Sequence, residues 1–344
     1  MNRASNRVIA DDLFDSTARL LEVVDVKVEF RLRAGVVKAV DGVSYTLDRG
    51  ETLAIVGESG SGKTVSAQAI MGIIDSPPGF ITNGEARFRG VDLFSLPEAE
   101  RRRVRGDKIA MVFQDALTAL NPVFSVGWQI GEMFRKHRGT SRAEAKEMAI
   151  ELMERVRIPD ARRRVNSYPH EFSGGMRQRV MIAMSLALDP DVLIADEPTT
   201  ALDVTVQAQI MELLAELQQE TGMGLILITH DLAVVAEVAD RVAVMYAGKI
   251  VETGDIGPLY HQPAHPYTLG LMKSLARPDM KIGEKLQAIV GSPPDLLKVP
   301  SGCSFHPRCP YAKPICVTDD PGLIEISAGR SSACHFTEEI SRGQ

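Results

Sequence analysis

The chain has 344 residues with a formal net charge of −6, 44% hydrophobic and 24% charged residues, which suits about two soluble domains with appendages. The acidic balance argues against a nucleic-acid partner, which would favour a basic face; the triplets Arg101–Arg103 and Arg162–Arg164 read as solvated loop faces. The longest uncharged apolar run, Val180–Leu188, falls far short of the ~18 residues of a membrane span.

Residues 1–19 carry Asp11, Asp12 and Asp15 and no apolar core. They are expected to form a flexible polar extension rather than a secretory signal, which places the protein in the cytosol, with membrane association only through a partner. From Leu20 the apolar residues come in β-type bursts, Leu20–Val28, Val36–Val40 and Val43–Leu47, with Gly35 and Asp41-Gly42 as turn signals. A small antiparallel sheet is the expectation there.

The apolar run Thr52–Val56 leads into Gly57-Glu58-Ser59-Gly60-Ser61-Gly62-Lys63-Thr64. This fits G-x-x-x-x-G-K-[ST], the phosphate-binding P-loop. The glycines let the backbone turn tightly and aim N–H groups at phosphate oxygens. Lys63 supplies a cation for the β- and γ-phosphates, Thr64 a hydroxyl for Mg²⁺, and the helix beginning there presents its positive end. A glycine-rich turn without a ligand is the bland alternative, but strand, loop and following periodic segment (Val65, Ala69, Ile70, Ile73) stand where the motif requires them.

Pro77, Pro78 and Gly79 end the P-loop helix, Gly84–Leu93 reads as short strands, and Ile109–Phe113 as a buried strand ending at Gln114. Residues 115–188 turn helical; Ala149, Leu152, Met153 and Val156 share one face. Apolar runs then return at 192–195, 225–228 and 242–245, with a helix through Ile210, Leu213, Leu214 and Leu217. Such alternation implies a parallel sheet covered on both faces. Tyr246–Ile250 looks like a hairpin, and beyond residues 255–260 proline density rises and periodicity fades.

Asp196 and Glu197 close the run at 192–195, at the sheet edge where ligands bind in parallel α/β folds. Asp196 suits a Mg²⁺ shell and Glu197 a general base for water, although a helix N-cap would explain the pair alone. Ser173-Gly174-Gly175, followed by the helix-forming stretch Met176–Leu188, is a second anion site. Two phosphate cradles in one chain require a fold that brings both to a triphosphate.

At this point the sequence resembles the ATP-binding cassette (ABC) ATPases, whose signature reads Leu-Ser-Gly-Gly-Gln. The resemblance implies an α/β P-loop ABC fold: a mixed sheet with an antiparallel subdomain and a helical insertion, plus a cysteine-containing C-terminal extension. It divides the chain into residues 1–19, a nucleotide-binding domain at 20–258 with a helical subdomain near 115–188, and the extension at 259–344. It also implies that Ser173, Gly174 and Gly175 face the P-loop of a second subunit, so that ATP is sandwiched head to tail. Gln114 matches the glutamine that senses Mg²⁺ and the attacking water, and Ala201-Leu202-Asp203 the loop crossing the dimer interface. His230 resembles the switch histidine of the γ-phosphate. Phe30 lies where the family keeps an adenine-stacking aromatic, with core packing as the alternative. Phe172 for Leu and Met176 for Gln depart from the signature. The second removes an amide, while Ser173 and the glycine N–H groups remain.

Phe113–Pro122, Phe172–Val180, Gln262–Thr268 and Gly302–Pro310 are similar to the dipeptide/oligopeptide subfamily of ABC importers, over roughly residues 20–336. That resemblance implies ATP and Mg²⁺ as cofactors, a second and related ATPase as dimer partner, two membrane permeases, an extracytoplasmic peptide-binding protein acting indirectly, and a place at the cytoplasmic membrane face. A soluble ABC protein acting on DNA or ribosomes is the alternative; it usually carries coiled coils or two cassettes, and neither stands here. An importer ATPase for nickel or another small solute is a further one. An isolated phosphate-transfer enzyme would leave Ser173–Gly175 and His230 unexplained.

All four cysteines, Cys303, Cys309, Cys316 and Cys334, lie in the tail, separated by five, six and seventeen residues. In a cytosolic chain such clustering favours a metal over disulfides. Zinc sites prefer closer pairs, and four thiolates can hold an iron–sulfur cluster. Similar tails in the importer subfamily are associated with a 4Fe–4S cluster; zinc and no metal remain the alternatives.

Overall fold

The structure, a computed structural model, describes residues 14–200, 202–274 and 288–342. Among these residues, twelve strands build two sheets. In the first, β1 (Leu21–Leu32) lies between β2 (Gly35–Leu47) and β4 (Gly79–Phe88), with β5 (Val91–Asp92) at the edge, all antiparallel. Asp41-Gly42, expected as a turn, sits inside β2 instead. Gly42 has φ +82° and faces a stretch of β1 in which Asp25 has φ +45° and the register slips. The extra backbone is absorbed as a bulge, so the turn-forming residues bend a strand rather than end it.

The second sheet has eight strands. β3 (Thr52–Val56), β6 (Ile109–Val112), β7 (Val192–Asp196), β8 (Gly224–Thr229) and β9 (Arg241–Tyr246) are parallel in the order β9-β3-β8-β7-β6. β10 (Lys249–Asp255), β12 (Arg330–Ser332) and β11 (Ile324–Ser327) then extend the β9 edge antiparallel. Alternate side chains of the parallel strands enter different cores. Ala54, Val56, Leu193, Ala195, Leu225 and Leu227 face the helices of the insertion, whereas Leu53, Ile55, Val192, Ile194, Ile226 and Ile228 face the first sheet. Burial on both faces is why these strands read as unbroken apolar runs; each aliphatic side chain contributes about 1.5–3 kcal/mol.

Residues 115–188 are helical as expected, with helices Val126–His137, Arg142–Arg155 and Gly174–Leu186 as the main elements. Ser125, Ser141 and Ser173 cap them, each accepting a backbone N–H of the first turn. Of the expected N-terminal extension, residues 1–13 lie outside the described residues. In residues 14–19 the polar side chains are exposed, but Phe14 is buried edge-on against Phe88 at 5.0 Å, and the Asp15 N–H donates to the Arg89 carbonyl.

The tail is not a separate appendage. β12 pairs Ser332 with Glu252 and Ser331 with Thr253 of β10. The fully buried Glu252 carboxylate accepts the N–H groups of Ala264 and His265 and the Arg330 guanidinium at 3.0 Å. No helix among the described residues is long and apolar enough to cross a membrane.

Candidate functional site

Parallel register brings the C-terminal ends of four strands to one edge. Val56 lies beside Thr229, Asp196 beside Ile228, and Val112 beside Ala195. Gly57, Glu197, His230 and Gln114 therefore gather around one cavity of about 990 Å³, together with Phe30 and the whole segment Gly57–Val65.

The P-loop wraps onto the helix Lys63–Met71. Two of its glycines are required by close approach as well as by turning. A Cβ on Gly57 would stand 2.2 Å from the Met245 carbonyl oxygen, and one on Gly62, at φ +103°, 2.2 Å from that of Ala39. The Lys63 side chain is buried and folds back along the loop, donating to the carbonyls of Gly57 at 2.7 Å and Glu58 at 3.0 Å. Burial lowers its pKa, against the upward pull of Glu197, Asp196 and Glu58. Thr64 Oγ1 donates to Asp196 Oδ1 at 3.0 Å. Burial raises the Asp196 pKa, opposed by the Thr64 hydrogen bond and Lys63. A cation beside this pair would offset that cost, and hydroxyl plus carboxylate oxygens are the donors Mg²⁺ takes.

Glu197 has φ +45°, an uncommon conformation for a side-chain-bearing residue. Its Oε2 accepts from Gln114 Nε2 at 3.1 Å and Thr200 Oγ1 at 2.8 Å, and His230 Nδ1 lies 3.5 Å from the same oxygen. Thr200 was not among the sequence candidates; its position three residues past Glu197, in the turn closed by the Thr200 N–H to Glu197 carbonyl bond, was the available signal. Phe30 both lines the cavity and packs against the core below the first sheet.

Ser173, Gly174 and Gly175 do not join this cavity. Ser173 and Gly174 are exposed, and Ser173 Oγ caps its own helix through the Met176 N–H at 3.3 Å. A Cβ on Gly175 would meet Val206 Cγ1 at 2.6 Å, so the turn is seated on the helix Val204–Thr221. Asp203 caps that helix by accepting the Val206 N–H and is itself exposed. Ala201 lies outside the described residues.

The tail also reaches the P-loop. Tyr267 Oη accepts the Glu58 N–H at 2.8 Å, and the Arg308 guanidinium grips both Glu58 oxygens at 2.6 and 3.0 Å. A second, apolar cavity of about 540 Å³ opens between the sheet and the helical insertion, lined by Met71, Phe113, Met133, Met181 and Met184 among others.

The four cysteines converge as free thiols around a cavity of about 10 Å³, shared with His306 and His335. Burial pushes Cys309 up to about 12 and Cys334 up to about 11, and raises Cys303. No group of three or more His, Cys, Asp or Glu placed to hold a metal ion exists among the described residues. The expected iron–sulfur cluster therefore finds no preformed metal-binding group among the described residues.

The family model described as ABC transporter matches residues 40–200, and that described as oligopeptide/dipeptide transporter, C-terminal region, matches residues 251–316. The oligopeptide transport ATP-binding protein OppD of Bacillus subtilis is 54% identical over 309 residues, covering 90% of this chain and 86% of the relative. Among solved structures, the dimeric ATP-binding cassette MJ0796 in a post-hydrolysis state with ADP and Pi aligns with TM-score 0.62 and 28% identity over 69% of this chain and 98% of that one. CbiO1 of Clostridium perfringens, part of the cbiONQ transporter complex, aligns with TM-score 0.60 and 28% identity over 71% and 91%. The chain belongs to the ABC transporter ATPases, in the branch of oligopeptide/dipeptide transport ATP-binding proteins.

Proposed function

We propose that this chain is the ATP-binding and hydrolysing subunit that energises a membrane importer of di- or oligopeptides. The observation that carries it is the convergence of Lys63, Thr64, Asp196, Glu197, Gln114 and His230 at one sheet edge, in a chain whose tail matches the peptide-transporter C-terminal region. In this reading the P-loop N–H groups and Lys63 bind the triphosphate, and Thr64, Asp196 and Gln114 would hold Mg²⁺, which would supply neutralisation of the triphosphate charge. Gln114, Thr200 and His230 fix Oε2 of Glu197, so that its other oxygen takes the proton of the attacking water. His230 reaches the γ-phosphate from the same edge.

The second phosphate cradle, Ser173–Gly175, lies outside the cavity of this chain's own site. That supports a head-to-tail dimer in which it completes the site of another subunit, with Asp203 beside the crossing point. The partner in this proposal is a related second ATPase. Two permeases serve the pair of ATPases, their cytoplasmic helices received by the stretch after Gln114 and the helical insertion, and a peptide-binding protein delivers cargo on the far side. The subunit then sits peripherally at the cytoplasmic membrane face. Copurification with integral membrane permeases, and peptide-stimulated ATP hydrolysis by the complex, are expected. Tight, salt-sensitive binding to DNA or ribosomes instead would overturn the assignment.

The convergence of four thiols on one cavity also supports testing the tail as a 4Fe–4S site. Broad absorbance near ~400 nm in anaerobically purified protein, lost on Cys309→Ser, is the expected signature of such cysteine-held clusters. Stoichiometric zinc without iron, or no metal, rejects it.

A further inference from the structure

The nucleotide cavity is not lined by the cassette alone. Beyond the P-loop, Gln114, Glu197 and His230, its wall includes Leu271, Ile289 and Leu296 from the C-terminal extension. The polar residues account for the phosphate end. With Ser274 as the polar exception, the remaining lining is apolar, led by Phe30, Val37 and these three aliphatic side chains, and the base is the part of ATP that offers apolar faces.

The wall is packed, not draped. A Cβ on Gly270 would meet Ile289 Cγ1 at 2.8 Å, so the segment after residue 288 lies directly on the helix Pro266–Lys273. A Cβ on Gly35 would meet Leu297 Cδ2 at 3.2 Å, so the same segment also abuts the β1–β2 turn. Arg308 ties it to the phosphate loop. Its Nε donates to the Val290 carbonyl at 3.1 Å and Nη2 to that of Gly291 at 3.3 Å, while both Nη atoms grip Glu58. The guanidinium side chain is only 6% exposed and lies over the rings of Tyr246 and Phe305. A planar fork that joins a carboxylate to two carbonyls is a task an ammonium cannot duplicate.

We propose that the C-terminal extension is part of this chain's own nucleotide site: Leu271, Ile289 and Leu296 form the nucleobase wall, and Arg308 is the positioning residue that locks that wall to Glu58 of the P-loop. The proposal rests on the reading of the cavity as an ATP site. It makes the tail a determinant of nucleotide affinity through the base rather than the phosphates.

The test is calorimetric binding of Mg·ATP and of Mg·tripolyphosphate, which lacks the base, to the full chain. Ile289→Ala/Leu296→Ala should weaken ATP by about tenfold, the loss of roughly 1.4 kcal/mol of apolar contact, with tripolyphosphate unchanged within about twofold. Arg308→Ala should show the same base-selective loss, and Arg308→Lys should not restore it. Equal weakening of both ligands would reduce these residues to general structural support and overturn the proposal. Unchanged ATP affinity in all variants would overturn it too. Lys63→Ala separates the two levels: if it abolishes binding of both ligands while the tail variants do nothing, the ATP site stands and the nucleobase wall falls. If Lys63→Ala leaves ATP binding intact, the underlying reading fails. Hydrogen exchange on the wild-type chain needs no variant to fold. ATP should protect amides of residues 288–297 and tripolyphosphate should not; no ATP-specific protection there counts against the proposal.

Discussion

Gln114 Nε2 donates to Glu197 Oε2 at 3.1 Å, joining the end of β6 to the end of β7 across 83 residues of sequence. With Thr200 and His230 on the same oxygen, the carboxylate is oriented before any water arrives. Glu197→Gln keeps the size and loses the base. Hydrolysis is expected to fall by roughly 10²–10⁴-fold while ATP binding is retained, as measured by phosphate release and equilibrium binding. Full residual hydrolysis would remove Glu197 from that role.

Gly62 sits at φ +103° with the Ala39 carbonyl where a Cβ would go. Gly62→Ala should therefore push the loop off β2 and weaken Mg·ATP by more than tenfold. A strain of about 1–3 kcal/mol should also appear as a lower urea midpoint. Gly60, with φ +79° and nothing within 4 Å of where a Cβ would stand, should suffer only the backbone strain.

Glu252 and Arg330 form the buried pair that fastens the tail strand to β10. Arg330→Met leaves a buried carboxylate without its cation, and burial already raises the Glu252 pKa. A destabilisation of about 3–5 kcal/mol is expected in denaturant melts, tempered by the two backbone N–H groups that stay. The double variant Glu252→Gln/Arg330→Met should recover part of that loss.

His265 is buried, and its imidazole is held neutral, its pKa lowered to about 3 by burial, while Nδ1 accepts the Tyr267 N–H at 3.1 Å. The unfolded chain takes up a proton as pH falls below ~6.5, and the folded chain refuses it until near the lowered value, so stability is lost on acidification through that window. The slope from this residue is at most about 1.4 kcal/mol per pH unit. Glu252, with its raised pKa, titrates with the opposite sign, so the comparison of variants isolates the histidine. His265→Asn, whose amide oxygen can replace Nδ1, should flatten the loss between pH 6.5 and 4.5. An unchanged profile would mean that His265 titrates normally.

The phosphate loop, the Asp196-Glu197 pair, Gln114 and His230 were legible because each closes a buried strand, so local sequence and the parallel rule together place them at one edge. Arg308 was not: it meets Glu58 across 250 residues, and nothing near Gly302–Pro310 marks it as facing a phosphate loop. Nor were β11 and β12, four and three residues long, because strands so short carry too few alternations to stand out. They exist through pairing with β10 and the Glu252–Arg330 anchor. Asp41-Gly42 misled because the same residues serve a turn or a bulge, and only the partner strand decides which.

In the proposed function this chain holds half of a hydrolytic site, since Ser173 and Gly174 stand exposed and the whole Ser173–Gly175 turn lies outside its own nucleotide cavity. The most direct measurement is specific ATPase activity across a dilution series, with the mass of the species followed by light scattering. Activity per chain should rise with protein concentration, or on adding the partner ATPase, and vanish toward the monomer while ATP binding persists. A constant specific activity in a demonstrably monomeric sample would contradict it.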